Sequence, residues 1–267
     1  MTIPSEPRTP LSYHEPLGAA FPPIVALAVV AIAMASFYAF QIASPLVGLP
    51  PLVGMTLSYA VLTGVPFVAM RASGLTAEAL GLRWPRMRHL VAALLVGATA
   101  WYANLLLDAW LLSDHHHDNL APIVDESPIG PTLLVLAVLP GLCEEIVFRG
   151  VLVRSLGRVM PLVVAALASA AVFSAYHLSV IQAAPTFTLG ILLGVIAQRA
   201  DSAVPTMVAH ILNNAIAIGL RRNALTPVVN TVSASPEVCL VLALIAVTVA
   251  TDVVSWPVSA SSRSRGL

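Results

Sequence analysis

The sequence predicts an all-α fold, a polytopic transmembrane bundle of about eight helices, and three observations carry that reading. Of the 267 residues 58% are hydrophobic and only 10% charged, against about 25% charged in a soluble domain, and the mean hydropathy is +0.89. The apolar residues gather in charge-poor runs, and about 20 such residues cross the roughly 30 Å of bilayer hydrocarbon as a helix. No repeat of about 20 to 50 residues recurs, which removes solenoids, and the runs are too long and too uniformly apolar for barrel strands.

Residues 1–23 are polar and rich in proline, with Glu6, Arg8 and Glu15 as their formal charges; such a segment buries too little apolar surface to order itself and reads as a disordered cytoplasmic tail. Residues 24–43 then run without a charge. They lack the basic flank of a signal peptide and exceed its apolar core, so they read as a span. Further spans are expected at 51–70, 90–112, 131–158, 161–181, 186–198, 203–220 and 238–254. The fourth is interrupted by Pro140 and Gly141, and the sixth is short because Pro185 breaks its approach, which leaves seven as the rival count. The chain thus divides into the tail, three N-terminal helices over 24–112, a core at 130–220 and a C-terminal helix at 238–254.

All thirteen basic residues are arginines, balanced by thirteen acidic ones, so no net positive charge attracts nucleic acid. Their placement orients the bundle, because cytoplasmic loops hold the excess of basic residues. Arg71, Arg83, Arg86 and Arg88 follow the second span, Arg154 and Arg158 the fourth and Arg199 the sixth, while Arg263 and Arg265 end the chain. Eight spans put all of these on one side. The loop with Asp114, Asp118, Asp125 and Glu126 falls on the other, with Arg221 and Arg222 as exceptions, and both termini are expected in the cytoplasm of a cell-membrane protein. Cys143 and Cys239 lie in apolar runs and make neither a disulfide framework nor a metal-binding pair.

Charged groups at membrane depth are costly and mark function. Glu144, Glu145 and Arg149 stand inside an apolar stretch. Adjacent helix positions point about 100° apart, so Glu145 and Arg149 share a face and can pair, while Glu144 is left without a local cation, as suits a general base acting on water. His177 ends the fifth span, and His210 and Asn214 share one face of the seventh. Imidazoles and a carboxamide can donate to a developing oxyanion while a carboxylate takes a proton from water. Counting about 1.5 Å per residue, Glu144 lies roughly 21 Å in from Arg158 and His177 roughly 24 Å in from Pro161. His210 is only about 10 Å from Ala203, so either the seventh helix begins below the surface or the fourth ends early. The same polar groups could instead tie helices together in a non-catalytic scaffold, although small residues such as Ala165, Ala166, Ser169 and Ala170 already allow close packing. The interrupted fourth span also suggests a transporter, but no second broken helix answers it.

Glu144-Glu145-x-x-x-Arg149-Gly150, then Phe173-x-x-x-His177, then His210-x-x-x-Asn214 resembles the three-motif signature of the CPBP intramembrane proteases, which include the type II CAAX prenyl endopeptidases and bacteriocin-processing or self-immunity proteins. The resemblance covers about residues 130–220, including Thr188 to Gly194, a third of the chain. It implies an endopeptidase in which Glu144 activates water, His177 orients the water or the scissile carbonyl, His210 and Asn214 form the oxyanion site, and Glu145 with Arg149 hold the helix. The family is described both as metalloproteases and as metal-independent glutamate proteases. The chain has no HExxH motif: His14-Glu15 is followed by Pro16, Leu17 and Gly18. Glu144, His177 and His210 would be the ligands if zinc is bound; the metal-free mechanism is the expectation, with no cofactor. A non-catalytic immunity protein is the alternative.

The loop Ser113 to Asp118, with His115, His116 and His117, concentrates metal-ligating types but reads as a solvated loop. Asp108 and Asp252 sit near span ends, where snorkelling accounts for them. Arg83, Arg86 and Arg88 beside Trp84 read as anchors to anionic headgroups. The expected partners are membrane lipids and a membrane-associated protein or peptide substrate.

Overall fold

The computed structural model describes residues 19–111 and 121–235, with Glu237 and Val241. Most of the N-terminal tail, the loop from Ser113 to Asp118, most of the span at 238–254, Asp252, Arg263 and Arg265 lie outside the described residues, as does the side chain of Asp108.

The described residues form helices and no strands. Helix α1 (Pro23–Leu46) and α2 (Pro51–Ala72) each start at a proline, whose missing N–H costs nothing in a first turn, and they pack on each other as a hairpin. A 3-10 turn at Ala77–Leu80 leads to α3 (Met87–Leu111), and α4 (Ala121–Glu126) precedes the long α5 (Ile129–Leu156). Then come α6 (Leu162–Tyr176), α7 (Val180–Ala200), α8 (Val204–Arg221) and α9 (Thr226–Ser233). Helices α1, α2, α5 and the Gln182–Ala200 part of α7 are long and apolar enough to cross a membrane.

Helix α5 is the axis of the bundle. Its most apolar window is 61% buried against 28% for α1 and α2, and it touches α1, α2, α6, α7 and α8, while α6 packs along α7 and α3 along α8. Pro140 and Gly141 do not break it. An N–H at position 140 would bond the carbonyl of Leu136 in a regular helix, and that carbonyl instead accepts from Asn214 Nδ2 of α8 at 3.2 Å. Wide π-helical stretches at Leu134–Val138 and Ile146–Val153 flank a short α-helical segment, Leu139–Glu145, that carries both glutamates; such insertions are frequent at functional sites.

Two other boundaries move. The fifth apolar run stops as a helix at Tyr176, capped by His177, and Leu178 turns the chain with φ 47°. Helix α7 then starts at Val180, with Ser179 accepting from the Gln182 N–H, and carries Pro185 in its second turn. Pro185 lies past the first turn and removes one intrahelical bond, yet the helix runs through it, so the sixth span is longer than the sequence suggests.

The start of α8 explains the depth of His210. The Ala203 N–H donates to the carbonyl of Gly81 at 2.9 Å, and Gly81, at φ 72°, is so close to α5 that a Cβ on it would lie 3.0 Å from Gly150 Cα and 3.1 Å from Ala203 N. Gly150 is more crowded still, its imagined Cβ falling 2.1 Å from the Leu80 carbonyl oxygen. Gly150 and Ala203 therefore share one level, and Glu144 and His210 lie about 9 and 10 Å along their helices from it. The α2–α3 connection dips into the bundle, and α8 begins there, below the end of α5.

Arginines at the two ends are held differently from a plain loop reading. Arg154 is fully buried, its Nε and Nη2 on Asp201 Oδ1 at 2.9 and 2.8 Å and its Nη1 on the Glu78 carbonyl at 2.7 Å. Arg83 pairs with the other oxygen of Asp201. At the opposite end Arg221 Nη2 meets Asp125 Oδ2 at 2.9 Å and Arg222 Nε the Val124 carbonyl at 2.9 Å, so the two exceptional arginines are tied to α4.

Candidate active site

Glu144 and Glu145 end the short α-helical segment of α5 and are both buried, Glu144 at 2% exposure and Glu145 at 0%. Their neighbours differ as the 100° offset requires. Glu145 Oε1 receives Arg149 Nη1 at 2.8 Å, one turn along the same helix, and His210 Nδ1 of α8, also at 2.8 Å. Arg149 is fully buried and lies 4.2 Å over the Phe173 ring, with Nη2 reaching the Gly190 carbonyl of α7 at 3.4 Å. A buried guanidinium needs its charge and its donors met; α5 and α7 supply the acceptors for Nη1 and Nη2 and α6 the ring face, while Nε is buried without a partner.

Glu144 faces away from that pair. Its Oε1 accepts from Tyr59 OH of α2 at 3.3 Å. Its Oε2 is buried and has no hydrogen-bond partner, and His210 Nε2 stands 4.0 Å from it. His210 thus sits between the carboxylates. An ionised carboxylate only accepts, so Nδ1 carries the hydrogen toward Glu145 and Nε2 is turned to Glu144.

His177 is half-buried, with Nδ1 at 2.9 Å from the Phe173 carbonyl. A carbonyl cannot donate, so here too Nδ1 bears the hydrogen and Nε2 is left as an acceptor. Phe173 lies edge to both imidazoles, with ring centroids 4.8 Å from His177 and 5.8 Å from His210. Asn214 lies one turn beyond His210 and gives one amide hydrogen to the Leu136 carbonyl.

The cluster therefore joins Glu144, Glu145, Arg149 and His210 directly, sets His177 across Phe173, and ties Asn214 to α5. Among the described residues no three His, Cys, Asp or Glu side chains stand together as ligands of one metal ion. His210 Nδ1 on Glu145 leaves Nε2 as the ring nitrogen a metal would take, but Glu144, His177 and His210 are not gathered as one ligand set. Sequence reasoning missed Tyr59, a lone tyrosine in an apolar span, and Asn213, which is 8% exposed with its Oδ1 buried and unpartnered; nothing in their surroundings sets them apart in the sequence.

Buried carboxylates, a guanidinium and an imidazole inside membrane-length helices define an intramembrane protein with an ionisable centre. Residues 127–216, about a third of the chain, match the family model described as Type II CAAX prenyl endopeptidase Rce1-like. No curated protein and no solved structure matches the chain significantly. With several helices long and apolar enough to cross a membrane, the protein is an integral membrane protein.

Proposed function

We propose that the protein is an intramembrane endopeptidase in which Glu144 activates the attacking water. The observation that carries this reading is the buried gap between Glu144 Oε2, which lacks a partner, and His210 Nε2, 4.0 Å away. A water against Oε2 passes a proton to Glu144 as its oxygen bonds the scissile carbonyl carbon. The C–N bond then breaks, Glu144 returns the proton to the departing amine, and the products are a carboxylic acid and an amine. His210, held through Nδ1 by Glu145, donates from Nε2 to the carbonyl oxygen in its protonated form as charge develops there. The second amide hydrogen of Asn214 adds to that site. His177, with Nε2 as an acceptor, orients the water. No step passes through a metal.

The substrate in this reading is a membrane-associated protein or peptide, CAAX-like and prenylated or bearing a leader. Eight spans, with both termini in the cytoplasm and the core at 130–220 in a cell membrane, complete the proposal. The arginines after α2, α5 and α7 support that orientation, and the engagement of Arg221 and Arg222 by α4 accounts for the two that depart from it.

The test compares N- and C-terminal peptides of the membrane proteome in cells with and without the protein, and with Glu144→Gln in its place. The expected result is a precursor that accumulates equally in the deletion and the variant. Cleavage at the wild-type rate by E144Q would overturn the mechanism, and an unchanged peptide profile would favour a non-catalytic scaffold.

A further inference from the structure

Tyr59 stands in α2, outside the residues that match the family model, yet its hydroxyl donates to Glu144 Oε1 at 3.3 Å. We propose that Tyr59 is a positioning residue that fixes which oxygen of Glu144 faces the water, an inference that rests on the function proposed above. The terminal torsion of a glutamate is broad and nearly two-fold, so an unheld carboxylate presents either oxygen in a range of tilts. The phenol removes that freedom: Oε1 is engaged, and Oε2 is left toward His210 Nε2.

The donor is itself fixed. Tyr59 is 6% exposed, and its ring packs against Phe37 of α1 at 5.4 Å between centroids. The nearby phenols are placed differently: Tyr38 OH donates to the Tyr176 carbonyl, and Tyr176 OH is buried without a partner. Among the described residues, then, Tyr59 is the hydroxyl that reaches Glu144. The chemistry of the donor matters as much as its position. A second arginine there would pair the carboxylate with a full charge and weaken it as a base, whereas a neutral phenol orients it and leaves it free to take a proton.

The experiment uses the full-length protein in proteoliposomes and, as substrate, the precursor peptide identified by the terminal-peptide comparison. Tyr59→Phe is expected to lower kcat about 10-fold with KM unchanged, the loss of one hydrogen bond to a charged group. Replacing Tyr59 by 4-aminophenylalanine, which keeps a donor at the same place, restores kcat to within about 3-fold. Tyr38→Phe, which removes a neighbouring hydroxyl that holds a backbone carbonyl, leaves both constants unchanged. A wild-type kcat in Y59F, or a loss that the amine does not restore, overturns the inference while an inactive E144Q leaves the protease reading standing. An active E144Q overturns both. If Y59F fails to fold, tyrosine and 4-aminophenylalanine are compared directly, and a large loss with the amine overturns the inference.

Discussion

His210 Nδ1 and Glu145 Oε1 stand 2.8 Å apart, and the oxygen that joins them also carries the guanidinium of Arg149. One carboxylate oxygen therefore fixes both the ring that faces Glu144 and the only cation of α5 within the cluster. Replacing Glu145 by glutamine leaves Arg149 buried without a counter-charge, an uncompensated charge of the kind that costs about 3 to 5 kcal/mol. Thermal unfolding in detergent should show a large loss for E145Q and little for E144Q, although both variants lose cleavage. Equal stability of the two would contradict the division of labour between the glutamates.

The histidines separate the metal question from the fold. H177Q and H210Q should each lose activity by a factor of about 10² to 10⁴ while the protein still folds, and a membrane-permeant chelator should leave the wild type active. Metal analysis of the purified protein is the check. One zinc per chain, lost in both variants, would move Glu144 from base to ligand.

Asn214 carries a structural duty besides any at the oxyanion. In N214A the Leu136 carbonyl, which Pro140 leaves without its helical donor, loses its side-chain partner, at a cost of about 1 to 3 kcal/mol. A melting temperature equal to wild type would show that water or a shifted backbone satisfies that carbonyl instead.

Gly150→Ala places a methyl group 2.1 Å from the Leu80 carbonyl oxygen. Backbone must move, so a destabilisation of about 1 to 3 kcal/mol is expected, and His210 should lose register with Glu145 because Leu80 and Gly81 seat the start of α8. Activity falling further than stability predicts would be the sign of that shift.

At the far end the hydrogen bond from Arg221 holds the Asp125 carboxyl below its usual 3.8. A depressed folded-state value stabilises the fold above the unfolded value, and that contribution disappears as the pH falls through the folded one. Wild type and D125N should therefore differ near neutral pH and converge in acid below 3.8. The pair is exposed, so the difference should be small and should shrink with added salt.

Contacts within one helical turn were legible in the sequence. The Glu145–Arg149 pair follows from spacing alone, as does the isolation of Glu144 from local cations. Contacts between distant segments were not. Pro140 reads as a break because the donor that reaches the Leu136 carbonyl comes from α8, 78 residues from Leu136. Arg154 reads as a loop arginine because Asp201, which allows it to be buried, is 47 residues on. Tyr59 carries no mark in an apolar span, where a tyrosine equally suits the headgroup level. His210 appeared too shallow because the inward dip at Gly81 is set by backbone packing against Gly150.

The distances along the chain that separate these partners also set an order of assembly. A chain made from its N-terminus completes α5 before His210 exists, since Glu145 and His210 are 65 residues apart. By then Arg149 already neutralises Glu145 within one turn, so α5 enters the bilayer with its own counter-charge and a lower insertion cost. Tyr59, made earlier still, is ready to receive Glu144. The imidazole arrives last, when α8 docks against α5, and only then do the carboxylates face a common partner. If Glu144 acts as proposed, a nascent chain stays inactive toward its neighbours in the membrane until the contact between α5 and α8 has formed.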